Sequence, residues 1–450
     1  MKQHRIIGLL GLLLVFVLIV SGCAIGHASA TATAPREKIV FWHEMTGPAA
    51  DQLKKFATQF NASQKKYQIV PEFEGTYNEA VQKILQTHGT SASPAIFQSM
   101  DVSTSELYHA KVATPMQHFI DKDHYNMNQI AAVPRAFYSQ GGKQISMPFN
   151  TSQPVLYYNA SLLKRLGIKA PAKDPSYSDI TAVAKQIQAK SKGKVNGMTV
   201  EEYGWLFEQF MANSNEHMAN NENGRQGVPT AVNFDQPGAK KAMQWIQTNV
   251  KNKDIINFGS GSTAETNEMA AFLAGKLGIF MQSSADIGNL TSGMKDKLGI
   301  CYFPHADGQK ANGVSIGGAS LWIGNDKSKS VQQGAWEFAK FLVNAKNQAI
   351  WEKITGYMAI NKQAAKEPIL KNLFAKQPMV AVPGEQLART KPNTANSGIF
   401  MEDVVQERTL TQTAMQQVYN NGNIGKALKT ATDSMNAAIK NNNKASGLTK

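Results

Sequence analysis

The chain has 450 residues, with 47 Lys+Arg against 33 Asp+Glu for a formal net charge of +14, and 42% of its residues are hydrophobic. This is a globular composition rather than a disordered one, and at about 150 residues per domain it allows two or three domains. Two cysteines exclude a disulfide-stapled scaffold and any Cys₄ or Cys₂His₂ zinc module, and the histidines include no HExxH spacing, so neither metal nor cofactor is expected.

At the amino terminus Lys2 and Arg5 precede an apolar run from Ile6 to Val20. That run is shorter than the ~20 residues of a membrane span and suits the core of a signal peptide, residues 1–22. Val20-Ser21-Gly22-Cys23 resembles a bacterial lipobox, in which cleavage precedes the cysteine and its sulfur takes a diacylglyceryl group. The expectation is a protein exported to the outer face of a bacterial membrane and lipid-anchored through Cys23. Residues 23–36 would form a flexible tether, because Ala24 to Pro35 are small and polar. Cys301 is then the one remaining thiol, and its apolar surroundings, LGICYF, predict a packed core residue.

Beyond the tether the pattern alternates strand and helix. KIVFW (38–42) reads as a strand; Gly47-Pro48 opens a helix with Leu53, Phe56 and Phe60 on one face; YQIVPEF (67–73) is a second strand. A helix with Ala80, Val81, Ile84 and Leu85 follows, then a third strand at 95–98. This order predicts parallel pairing with ligand groups at the carboxyl ends of the strands. PVLYYN (154–159) is strongly β-prone; 331–342 and 424–439 are amphipathic helices, and 441–450 reads as a frayed tail.

The loops after these strands carry hydroxyls and aromatic rings: Trp42-His43-Glu44, Thr76-Tyr77, Ser99-Met100-Asp101, Asn150-Thr151-Ser152, Ser283-Ser284, Gly317-Gly318 and Gly356-Tyr357. Flat faces and paired hydroxyls suit a polyol or sugar. Catalytic signatures are missing: there is no GxSxG elbow, no Walker A loop and no dinucleotide fingerprint, and Gly259-Ser260-Gly261-Ser262 reads as a flexible loop. Glu44 and Asp101 could be paired as glycosidase carboxylates only if their spacing allowed it, which leaves an exported hydrolase as a weaker alternative. The basic excess is dispersed lysine, as in Lys54-Lys55 and Lys240-Lys241, which argues for a solvated surface and against nucleic acid.

IVFWHEM (39–45), FNTSQPVLYYN (149–159), IGGASLWI (316–323) and WEKITGYMAIN (351–361) together resemble the extracellular solute-binding proteins of ABC importers, sugar-type family 1. Within that family the likeness is to members that bind sn-glycerol-3-phosphate. The resemblance implies a two-lobed, periplasmic-binding-protein-like α/β fold, each lobe a mostly parallel sheet flanked by helices, with several hinge crossovers. Lobe one would be 37–150 with 315–355, and lobe two 153–310 with 358–440. It further implies a monomeric receptor without catalysis, which captures glycerol-3-phosphate, a glycerophosphodiester or a sugar and delivers it to the permease. The ligand-binding positions it implies are Tyr77, Asp101, Ser152, Trp205, Ser283, Gly318 and Tyr357, with Tyr203 beside Trp205. The family's phosphate-binding arginine falls near Asn396, whose amide lacks the charged fork that suits a phosphate.

Overall fold

The computed structural model describes residues 35–449, so the signal peptide and the Cys23 anchor lie outside the described residues. Residues 36–449 belong to one compact unit built on two main sheets, with a small two-stranded hairpin besides.

The first sheet begins as the alternation predicts. Strand Glu37–His43 pairs in parallel with Tyr67–Phe73 on one side and with Ile96–Met100 on the other. Helix Gly47–Ser63 connects the first two strands and turns Leu53, Phe56, Ala57 and Phe60 inward. Phe56 and Phe60 meet Phe338 and Trp351 from the helices Lys329–Leu342 and Ala345–Thr355, forming one aromatic core. Each such fully buried ring stabilises the fold by about 1.5–3 kcal/mol.

Beyond its third strand this sheet is mixed rather than mostly parallel. Gly317–Gly324 inserts next to Ile96–Met100 in the antiparallel sense and pairs, also antiparallel, with Met147–Ser152 and Ala113–Thr114. It enters from the second sheet's side of the molecule instead of through a local helical crossover, so nothing constrains it to run parallel. The second sheet has the order Leu298–Tyr302, Pro154–Asn159, Leu277–Ser283, Asn196–Met198. Pro154–Asn159 is antiparallel to both neighbours, and only Asn196–Met198 is parallel to its partner. Cys301 lies within this sheet, 1% exposed and unpaired, and burial pushes its thiol up to about 12. An inert packed thiol follows.

The remaining core of the second half is helical. Gly204–Asn213, Pro237–Lys251, Val404–Tyr419 and Ile424–Ala445 bury Phe207, Phe210, Met243, Ile246, Met415, Leu428 and Met435 together. The last helix extends past the point where fraying was expected. Asn443 is buried and its amide donates to the Pro229 carbonyl at 2.7 Å, which ties down residues 441–445.

The chain passes directly from one sheet to the other at Gln153, between Ser152 and Pro154. Gln153 is fully buried; its carbonyl accepts from the Ser284 amide and its side chain from Gln386. The return to the second half after helix Ala345–Thr355 comes later than residue 358. Ile360 belongs to the first core, Ala364 and Leu370 pack on Ala349, and from Leu373 and Phe374 onward, with Met379, Val380 and Val382, the chain packs on the second sheet's core. The reason is helix Pro368–Lys376, whose Leu370 side chain has an apolar seat only against the earlier helix.

Candidate functional site

Between the two sheets lies a cavity of about 530 Å³. Seven of the eight sequence-derived ligand positions line it: Tyr77, Asp101, Ser152, Trp205, Ser283, Gly318 and Tyr357. Local chemistry sets each in place. Thr76 caps helix Tyr77–Thr87 reciprocally with Glu79, so Tyr77 begins the helix and its ring stands at the sheet's edge. Asp101 opens a short 3₁₀ turn directly after strand Ile96–Met100. Gly318 sits at φ +104°, where a Cβ would come 2.0 Å from the Asn150 carbonyl. The strand is irregular beside it, and only glycine fits. Gly356, at φ +81°, ends helix Ala345–Thr355 against the Ala285 carbonyl and delivers Tyr357 to the Ser283 loop.

From the other half, helix Gly204–Asn213 brings Trp205 over Gly317 and Ser152. Trp205 is 4% exposed, and its indole nitrogen makes no hydrogen bond among the described residues. Tyr203 lies beside it with ring centroids 6.0 Å apart. Burial keeps the phenols of Tyr77, Tyr357 and Tyr203 protonated well into the alkaline range, so all three are neutral donors at pH 7.

Asn396 does not line the cavity. Its carbonyl oxygen accepts from the Asn393 amide and its nitrogen donates to the Lys391 and Asn312 carbonyls, so the amide is consumed in stitching its own loop. Arg389 is likewise elsewhere, paired to Asp174 at 2.6 Å and stacked on Tyr302. The cation of the cavity is Arg408, on helix Val404–Tyr419. Its Nη2 donates to Asp101 at 3.0 Å and to Glu208 at 3.0 Å, and its Nε also pairs with Glu208. Burial opposes its charge, but Glu208 and Asp101 outweigh that and hold the guanidinium firmly protonated. Nη1 makes no hydrogen bond among the described residues. The Arg408–Asp101 pair joins the second half to the first.

The cavity also contains residues that the sequence did not single out, Glu201, Glu265, Gln282, Asp286 and Gln412, together with Gly261 and Ser262 of the segment read as a flexible loop. The last two do not form a free loop; they start helix Gly261–Leu273 at the rim. Burial and the neighbouring Glu265 push Glu201 up to about 7, and the same two causes push Asp286 up to about 7. By contrast, the Trp42-His43-Glu44 segment lies outside the lining. His43 and Glu44 are buried, burial shifting the imidazole down to about 4 and the carboxyl well upward, so Glu44 and Asp101 do not face each other as a catalytic pair in this cavity. No group of three or more His, Cys, Asp or Glu side chains among the described residues is arranged to hold a metal, and no helix among them is long and apolar enough to cross a membrane.

Comparison with known proteins bears on the fold and the family. The sn-glycerol-3-phosphate-binding periplasmic protein UgpB of Yersinia pestis is 28% identical over 398 residues, spanning 87% of this chain and 89% of that protein. UgpB from Mycobacterium tuberculosis, solved in complex with glycerophosphocholine, superposes with a TM-score of 0.73 at 16% identity over 90% of this chain and 98% of its own. The cyclic alpha-maltosyl-1,6-maltose binding protein of Arthrobacter globiformis gives 0.74 at 16% identity over 90% and 100%. The two-lobed fold is therefore that of solute receptors. With residues 55–378 matching the family model as well, the chain belongs to the bacterial extracellular solute-binding proteins.

Proposed function

We propose that this chain is the lipid-anchored receptor of an ABC importer, acting as a monomer, and that it captures glycerol-3-phosphate or a glycerophosphodiester between its lobes. The lobes would be 37–150 with 315–355 and 153–310 with the carboxyl-terminal helices. Cys23 would hold the receptor at the outer membrane face, and the liganded form would dock on the permease. The observation that carries the reading is the convergence on one cavity of hydroxyls (Tyr77, Ser152, Ser283, Tyr357), an aromatic wall (Tyr203, Trp205) and one half-buried guanidinium, Arg408. Hydroxyls and backbone near Gly318 suit the glycerol oxygens, and the Arg408 guanidinium suits a phosphate oxygen. Ligand touching both halves favours the closed form through its differential affinity.

The aromatic pair also suits a sugar face, and maltodextrin-type receptors share the fold, so a neutral oligosaccharide is the second reading. Calorimetric titration of residues 34–450 with glycerol-3-phosphate, glycerophosphocholine and maltose separates these. Saturable binding of a phosphate compound, with the compound recovered intact, is the expected result. Binding of maltose alone would overturn the phosphate reading, and hydrolysis of any of the three would overturn the receptor reading.

A further inference from the structure

Lysines that the sequence scatters are gathered by the fold at one end of the second sheet. Strand Leu277–Ser283 borders the cavity at Ser283 and begins about 20 Å away, given the ~3.3 Å rise per residue of an extended strand. At that far end Asn196 pairs opposite Leu277, and its amide donates to the Lys276 carbonyl at 2.9 Å. Strand Pro154–Asn159 runs the other way, so Asn159 arrives at the same end, where the Ala160 amide donates to the Lys297 carbonyl at 2.9 Å. Helix Tyr177–Lys190 also finishes there: Lys190 donates to the Gly167 carbonyl at 2.8 Å and Gln188 to the Lys253 carbonyl at 2.6 Å. Segments 164–165, 185–194, 251–254 and 295–297, with Lys276, thereby bring eleven basic residues together against two acids, most of the chain's net charge of +14. Both acids are already engaged, Asp254 facing Lys185 at 3.7 Å and Asp296 bonded to Arg165 at 2.7 Å. Lys192, Lys194, Lys253, Lys276, Lys295 and Lys297 are exposed and make no ion pair among the described residues.

We propose that this lysine-rich end of the second half is a contact surface for anionic phospholipid headgroups. The choice of occupant rests on the lipid anchor at Cys23 proposed above, which keeps the folded chain beside a membrane. Basic side chains clustered and held close to a bilayer attract its anionic lipids. Lysine suits such a surface, because its ammonium is a hydrated point charge on a flexible stem and needs no fixed fork of acceptors. The one arginine of the group is taken up by Asp296. Nucleic acid fits less well, since these segments contain no aromatic residue on which a base could stack. The attraction is screened over about 8 Å at physiological salt, so it orients a receptor already tethered rather than retaining a free one.

Residues 34–450, which lack Cys23, are sedimented with vesicles of phosphatidylcholine alone and of a two-to-one mixture with phosphatidylglycerol, at low salt and at about 0.5 M salt. The bound fraction at low salt should be at least tenfold higher on the anionic vesicles, and it should fall to the phosphatidylcholine level at high salt. A Lys192→Glu, Lys194→Glu, Lys276→Glu variant should lose at least four-fifths of that binding. A Lys54→Glu, Lys55→Glu, Lys65→Glu variant, with the same change of charge on the first half, should keep most of it. All six lysines are exposed, so both variants should melt like the parent chain. Equal binding to the two kinds of vesicle would overturn the proposal. Binding that survives the first variant, or an equal loss in both, would overturn the assignment to this end of the molecule. No solute enters the assay, so its failure leaves the receptor reading standing, and fractionation of the full chain reads the anchor separately.

Discussion

Glu201 and Asp286 are held in the cavity wall at a cost. Burial and the nearby Glu265 raise both to about 7 from ordinary values near 4, while Gln282 and Asn289 partly offset the rise by hydrogen bonds. Glu268, behind them and raised to about 9 by burial and Glu201, adds to the same field. A carboxyl whose folded value lies above its unfolded one stabilises the fold fully below pH ~4, and that contribution is lost as pH rises through 7. Acidifying the unliganded chain from pH 7.5 to 5.5 should therefore raise its thermal midpoint. For a group as buried as Glu201 the gain is on the order of 1–3 kcal/mol. Glu201→Gln should flatten the profile, as read by calorimetric melting at four pH values; an unchanged slope would show that Glu201 is charged at neutral pH without penalty. The charged groups acting on Glu201 are Glu265, Glu268 and Asp286, all acidic, and the same cavity lining adds Asp101 and the one basic group, Arg408.

At the scale of elements, a close crossing of two helices positions the guanidinium. Gly204 opens helix Gly204–Asn213 directly against the backbone of Arg408, where a Cβ would lie 2.3 Å from the Arg408 carbonyl oxygen. Only glycine allows helix Val404–Tyr419 to come this near, and Trp205 is the next residue along. Gly204→Ala should push the helices apart, weaken solute binding more than tenfold and lower the thermal midpoint. Titration calorimetry beside melting measures both, and wild-type affinity would show that the crossing has slack. This crossing explains what sequence reading could and could not reach. The Tyr77, Ser152, Ser283, Gly318 and Tyr357 positions were legible through the family resemblance, helped by their place in loops that follow β-prone runs or helix ends. Arg408 sits mid-helix in VVQERTLTQT with no motif around it, more than three hundred residues from its partner Asp101, and only tertiary packing aims it inward. Glu201 was hidden for the same reason, belonging to a loop whose neighbours in space are remote in sequence, and Gly261 was visible only as part of a flexible loop, not as a lining residue. The mixed sense of the sheets was equally illegible, since strand direction after a crossover between halves is set by where the chain re-enters.

The whole molecule is bridged between its halves at points remote from the cavity. Arg225 is half-buried among backbone carbonyls, donating to Phe137 and Ser139 on one side and to Ser397 and Gly398 on the other, with the Phe137 and Phe400 rings against its plane. Burial without a carboxylate partner lowers this arginine to about 9. His109 and Glu402 make a second bridge at 2.7 Å. When the full chain is expressed in a bacterium, the protein should partition with membranes and be released by detergent. Cys23→Ser should move it to the soluble extracytoplasmic fraction with its affinity unchanged. Fractionation followed by immunodetection checks this, and a Cys23→Ser chain that stays in the membrane would remove the lipid anchor.

Strand Gly317–Gly324 lies inside the first sheet, with Ser320 opposite Ser99 on one side and opposite Pro148 on the other. Both neighbours are made at least 150 residues earlier, so during synthesis the sheet stays split until its middle strand emerges. Closing a loop of that length is entropically slow compared with local helix formation. A chain that must cross a membrane before folding gains time from this order: its first half cannot lock into its final shape until three-quarters of the polypeptide has been delivered.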